Sequence, residues 1–225
     1  DCPSGMPASN PDTYFKSTFD IYGIHRLLYV ADSHMYQVYQ TAIDNLPQYS
    51  QIFILCNTTE YGGGGGSFAV SSINMKAYDI IRHELGHSFA GLADEYWAGD
   101  FYAAEKVNMT KQTNPSLVRW KNWMGVDNVG IYQHTDTPLA KSWYRPHNNC
   151  KMRVLGKPFC NVCRQALVKQ ILNKASLIVD YAPVNLSLSM ADLVANNMTF
   201  ELKKLMKPQP NTLKISWKLD GIEIT

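Results

Sequence analysis

The stretch HELGHSFAGLADE, residues 83–95, decides how the rest of this 225-residue chain is read. His83 and His87 bracket Glu84 in the pattern H-E-x-x-H. On a helix the two imidazoles share one face, one turn apart. Two zinc ligands and a base beside them follow from that spacing. A catalytic zinc takes three protein ligands and keeps its fourth position open, so a third ligand is required. Gly91 can end the helix in a left-handed conformation and turn the chain back below the metal. In the extended motif H-E-x-x-H-x-x-G-x-x-H the third ligand lies three residues beyond the glycine, and in this chain the glycine, Gly91, comes one residue later. Here that position is Asp94, and aspartate is a suitable zinc oxygen ligand. Neighbouring Glu95 and the downstream His134 and His147 stay open as alternatives.

Outward from the motif, Asn74 reads as a helix N-cap, with Ile73 and Tyr78 spaced as a hydrophobic staple. Tyr78, Ile81, Leu85 and Phe89 are expected to face the core. Upstream, HRLLYVA (25–31) and QIFILCN (51–57) read as buried strands. A helix between them carries Met35, Val38, Tyr39, Ala42 and Leu46 and is stopped by Pro47. That order predicts a parallel pair joined by a right-handed crossover. The five glycines 62–66 disfavour regular structure and are expected to form a loop bordering the cleft. Ser67 to Ser72 then predict an edge strand, with Ser67, Phe68 and Ala69 binding substrate by strand addition.

Downstream, residues 96–158 form a long aromatic-rich stretch without periodicity, the kind of loop region that carries function. Within it, Cys150-Lys151-Met152 resembles a Met-turn, whose methionine forms an apolar floor beneath the ligands. Tyr144 and Arg145, just before it, are candidates to stabilise an oxyanion. Pro158 predicts the start of a helix running to about Ile178. Beyond Pro183, Val184, Leu186, Leu188 and Met190 alternate with polar residues, as do Leu213, Ile215, Trp217 and Leu219. Asp220-Gly221 reads as a two-residue hairpin turn.

Composition sets the outer limits. The chain has 45% hydrophobic and 18% charged residues and a net charge of +2, ordinary for a globular protein and without the basic stripe of a nucleic-acid binder. No apolar run reaches membrane-spanning length. Of the five cysteines, Cys160-Asn-Val-Cys163 lacks the second C-x-x-C of a structural zinc site. One disulfide among Cys150, Cys160 and Cys163, or simply buried thiols, is expected. The opening DCPSGMPASNPDTYF and the closing KISWKLDGIEIT both read as internal to a longer protein.

YGGGGGS, HELGHSFAGLADEYW, SWYRPHNNCKM and PFCNVCRQAL, in that order, resemble the bacterial IgA-peptidase family of zinc metallopeptidases, from about Tyr14 to Ile178. The resemblance implies an α/β, metzincin-like domain. Its parts would be a twisted, mostly parallel sheet with an active-site helix, a loop-rich lower subdomain and a C-terminal helix, over residues 1–181. A sandwich-like β module would begin at 182–225 and be incomplete there. It also implies a secreted or cell-surface bacterial endopeptidase acting on protein or peptide, immunoglobulin A among the candidates.

The expected chemistry is peptide hydrolysis by a zinc-activated water, with Zn2+ on His83, His87 and Asp94 and Glu84 as general base. Two other classes compete. One is a catalytically inactive, zinc-stabilised adhesion or glycan-binding surface protein. The other is a zinc amidase acting on cell-wall peptides. A purely structural site has no use for Glu84, which argues against the first.

Overall fold

The computed structural model describes residues 12–182, 184, 200–206 and 213–224. Its strands are β1 (Ser17–Thr18), β2 (Tyr29–Val30), β3 (Phe53–Cys56), β4 (Gly63–Gly65), β5 (Ala69–Ser72), β6 (Tyr132–Gln133), β7 (Tyr144–Arg145), β8 (Ile178–Ala182), β9 (Glu201–Leu205), β10 (Trp217–Leu219) and β11 (Ile222–Ile224). Its α-helices are α1 (Met35–Asn45), α2 (Ala77–Ala90) and α3 (Asn161–Lys174). The chain divides into two compact units, Asp1–Gln170 and Ile171–Thr225. No described helix is long and apolar enough to cross a membrane.

In the first unit the central sheet has the order β3-β5-β4, parallel between β3 and β5 and antiparallel between β4 and β5. This corrects three expectations. The 25–31 segment does not pair with β3; β2 pairs with β1, and Leu27 bridges β4 at Gly63. The sheet is therefore mixed rather than mostly parallel. Second, Gly63–Gly65 is a strand, not a loop. Glycine leaves no side-chain periodicity by which a strand can be read, and the pairing to β5 offsets its entropic cost. Third, β5 is central, hydrogen-bonded on both edges, with Phe68 and Ala69 fully buried. Ala69 therefore has no free edge for strand addition and Phe68 is buried, while Ser67 precedes the strand and is exposed.

Two apolar clusters hold this unit. Phe19, Leu28, Val30, Val38, Ile54, Phe68 and Val70 pack between the sheet and α1. Below α2, Leu92, Trp120, Val129, Met152, Phe159 and Val162 form the second. Buried indole N–H groups need acceptors, and Trp120 donates to the Gly130 carbonyl at 2.7 Å. The 96–158 stretch is, as expected, nearly free of long elements. Its regular parts are short 3-10 turns and the two-residue strands β6 and β7.

Helix α2 starts later than the cap reading implies. Asn74 Oδ1 accepts the Lys76 N–H at 2.9 Å, forming a turn before the helix rather than capping it. Ile73 and Tyr78 are exposed, so the staple does not form. The buried stripe is Ile80, His83, Gly86 and Ala90, not one through Tyr78. The face that bears the histidines is the one the sheet and the lower core cover.

In the second unit β8 pairs with β9, and β10 with β11, both antiparallel. Asp220 and Gly221 both have positive φ, 50° and 84°, the two-residue turn read from the sequence. Helix α3 ends at Lys174, short of Ile178, which begins β8. The alternating residues 186–190 lie outside the described residues.

Candidate metal centre

Each member of the site is placed by a local backbone device. Gly91 has φ +63° and closes α2. Its N–H bonds to the His87 carbonyl at 3.0 Å, and Leu92 N–H bonds back to Gly86, also at 3.0 Å. This left-handed closure turns the chain so that Asp94 faces the helix it has just left. Asn108 holds the returning segment by both ends of its amide. Its Oδ1 accepts from Ala93 N–H and its Nδ2 donates to the Ala93 carbonyl, each at 2.8 Å. Asn108 is fully buried, and nothing in its local sequence announces this role.

The result is a triangle of three acceptor atoms. Asp94 Oδ1 lies 3.1 Å from His83 Nε2 and 3.3 Å from His87 Nε2, and the two nitrogens are 3.2 Å apart. On the far side of each ring, His83 Nδ1 sits 3.0 Å from the Lys151 carbonyl and His87 Nδ1 sits 2.8 Å from the Leu92 carbonyl. A carbonyl can only accept, so each Nδ1 carries the proton and each Nε2 presents its lone pair inward. Three lone pairs thus converge with no hydrogen among them, and Asp94 Oδ1 is buried without a donor. The arrangement calls for a cation. Zinc with ligand bonds of 2.0–2.2 Å has tetrahedral edges of about 3.4 Å, close to all three sides of this triangle.

Without the metal, a proton fills that role. Burial alone would lower His87, but the Asp94 carboxylate outweighs it and pushes its pKa up to about 9. His83 is raised by the same competition. For Asp94 burial acts upward, and the two imidazoles overcome it to hold its carboxyl well below the usual range.

Glu84 offers an oxygen within 4.8 Å of ring nitrogens of both histidines, farther than Asp94 and beside the triangle. Its pKa is raised, chiefly by burial, against the pull of His83 and His87. Its carboxylate and backbone are pressed against β4: a Cβ on Gly65 would fall 2.7 Å from Glu84 Oε2 and 2.9 Å from the Glu84 carbonyl. The glycine strand lets a sheet edge approach the helix this closely.

Met152 is fully buried, and its Sδ lies 2.5 Å from where a Cβ on Gly86 would be. It therefore packs beneath the helix between the two histidines. The same turn holds both ligand segments. The Lys151 carbonyl accepts the His83 Nδ1–H, and the Met152 carbonyl accepts Glu95 N–H at 2.7 Å. The Lys151 ammonium, itself buried, pairs with Asp79 on α2.

The structure does not bring the other nominated residues to the triangle. Glu95 points to the opposite side. His134 is buried beside Arg145, and His147 is bonded to the Asp127 carbonyl. Tyr144 meets Gln133 at the surface and is absent from the cavity wall, and Arg145 is committed to Gln133, His134 and Asn148. Several phenols line the cavity, Tyr29, Tyr61 and Tyr102 among them, and Tyr96 is the one whose ring stacks on His83, at 6.4 Å. Burial raises its pKa, opposed by a hydrogen bond from Arg26, which lines the same cavity. Tyr96 follows Asp94 by two residues, and that adjacency was the signal for it. Of the two expectations for the cysteines, buried thiols is the one met among the described residues: Cys56, Cys150, Cys160 and Cys163 are free and buried.

Comparison with protein families matches residues 3–129, more than half the chain, to the family described as IgA Peptidase M64. The class is that of peptidases, with groups suited to a metal. The chain belongs to the IgA Peptidase M64 family. Comparison with curated proteins gave no match.

Proposed function

We propose that the protein is a zinc-dependent endopeptidase of metzincin-like type in which His83, His87 and Asp94 hold the metal. The observation that carries this is the triangle of buried lone pairs, sized for zinc, with Glu84 at its side and a cavity in front. Zinc bound there would supply Lewis acidity toward a scissile carbonyl and acidify a water toward neutral pH. Glu84 takes the proton of the attacking water and delivers it to the leaving amine. Its raised pKa suits it to both steps. The Tyr96 hydroxyl, facing the same cavity, donates to the oxyanion in place of Tyr144. Gly63–Gly66 line this cavity, so the peptide lies along β4 rather than β5.

The substrate follows from the same groove: an extended peptide segment, with immunoglobulin as a rational first protein to try. A secreted or cell-surface bacterial setting is part of this proposal. The test is incubation with a peptide library from a denatured proteome, with new termini mapped by mass spectrometry, beside Glu84→Gln. Cleavage by the parent that vanishes in the variant at equal zinc content supports the reading. No cleavage by a zinc-loaded parent, either of the library or of intact immunoglobulin, would sink it. Peptidoglycan digestion without peptide cleavage would favour the amidase instead.

A further inference from the structure

We infer that the protein carries a second, structural zinc site, formed by Cys150, Cys160, Cys163 and Glu95. One ligand atom from each of these four buried residues lies within 4.8 Å of all the others. Cys163 Sγ is 3.1 Å and Cys160 Sγ 3.9 Å from Glu95 Oε1, and the Cys160 N–H points at Cys150 Sγ from 3.3 Å. A tetrahedral zinc with Zn–S of 2.3 Å sets sulfurs about 3.8 Å apart and a sulfur about 3.6 Å from a carboxylate oxygen. The cage therefore has the size of one ion. It is too tight for an iron–sulfur cluster, whose sulfides would have to fit among these same atoms.

The surroundings demand a cation. Glu95 is fully buried, and its Oε2 has no hydrogen-bond partner. Its Oε1 receives only the Asn108 amide, at 3.1 Å, besides the thiols. Arg145, the nearby basic group, gives its two terminal nitrogens to the Gln133 carbonyl, His134 and Asn148, and its Nε has no hydrogen-bond partner, so none of its hydrogen bonds reaches Glu95. A buried carboxylate among three thiols is costly if left unpaired. Three thiolates and a carboxylate around zinc leave the same charge as a four-cysteine site, and structural sites of that kind are closed to water. Cys150 and Cys163 are indeed fully buried.

The position gives the site its purpose. Glu95 follows the triangle ligand Asp94, Cys150 precedes the Lys151-Met152 turn under α2, and Cys160 and Cys163 flank the first turn of α3. One ion there ties the segment that follows α2 to the Cys150 turn and to the start of α3. It does in this core what a disulfide was expected to do. None of the three cysteines lies within residues 3–129, so the family match does not speak for it.

The test is zinc content by mass spectrometry on the whole chain purified without chelator, beside His83→Ala/His87→Ala. The expected result is about two zinc per chain in the parent and about one in the variant, the remaining one released by an organomercurial that titrates thiols. One zinc in the parent and none in the variant overturns the inference while leaving the proposed function intact. One in both would overturn the triangle instead. Because Cys160→Ser could fail to fold, cobalt(II) substitution of the parent is the second reading. A thiolate-to-cobalt charge-transfer band is expected in the near ultraviolet, and its absence refutes the site. So does a disulfide found among these cysteines.

Discussion

Replacing Gly65 by alanine tests the approach of strand and helix on which the site depends. An added Cβ would stand 2.7 Å from Glu84 Oε2, 2.9 Å from the Glu84 carbonyl and 2.9 Å from His87 Cβ, where ordinary contact begins at 3.4 Å. The carboxylate oxygen can swing aside. The carbonyl and the His87 Cβ cannot move without the helix, so β4 and α2 must separate by about half an ångström. Overpacking of this kind costs about 1–3 kcal/mol. Misplacement of a reacting group by ~1 Å can cost on the order of a hundredfold in rate, so Gly65→Ala should lose about tenfold or more in kcat/KM. Gly66→Ala is the control, since its Cβ would meet only the Tyr29 side chain. Urea unfolding should show a lowered midpoint with unchanged slope for Gly65→Ala. A midpoint and kcat/KM equal to the parent's would mean that β4 does not press on Glu84.

Further outcomes follow from the same geometry. Asp94→Ala should lose the zinc that stays bound after an organomercurial has titrated the thiols, while Glu95→Gln keeps it, as measured by metal content. Asp79→Asn should destabilise by about 3 kcal/mol, because it strands the buried Lys151 ammonium. The Lys151 hydrogen bond holds Asp79 below its ordinary 3.8, so the pair stabilises above that value and fades as pH falls through the folded pKa. The variant should lack that acid step in its denaturant midpoints. In the metal-free chain the His87–Asp94 pair stabilises fully below pH 6.5 and fades as pH rises through about 9, while zinc competes with that same proton. The gap in unfolding midpoint between zinc-loaded and chelated protein should therefore widen from pH 6 to 9; a constant gap would contradict it.

What was legible in the sequence was local. His83, Glu84 and His87 sit at helical spacing, and Gly91 fixes where the chain turns, so Asp94 could be placed by counting. Met152 could be placed by its order after them. The rest depends on contacts between distant segments. Gly63–Gly65 forms a strand only because β5 pairs with it and α2 needs a partner without side chains. Asn108 is a buried clamp on Ala93, a role its local sequence does not announce. Tyr144 was nominated from its place near the Met152 turn, whereas the cavity phenol stacked on His83 is Tyr96. The cysteines lacked a second C-x-x-C because the complement to Cys160 and Cys163 is Cys150 with Glu95, a carboxylate contributed from another segment.

Anomalous diffraction at the zinc edge from crystals of the whole chain tests the central claim most directly. The account predicts a peak about 2.0–2.2 Å from His83 Nε2, His87 Nε2 and Asp94 Oδ1, with Glu84 beside it and not bonded to it. A peak completed by His134, His147 or Glu95 in place of Asp94, or no peak between the two histidines, would contradict it.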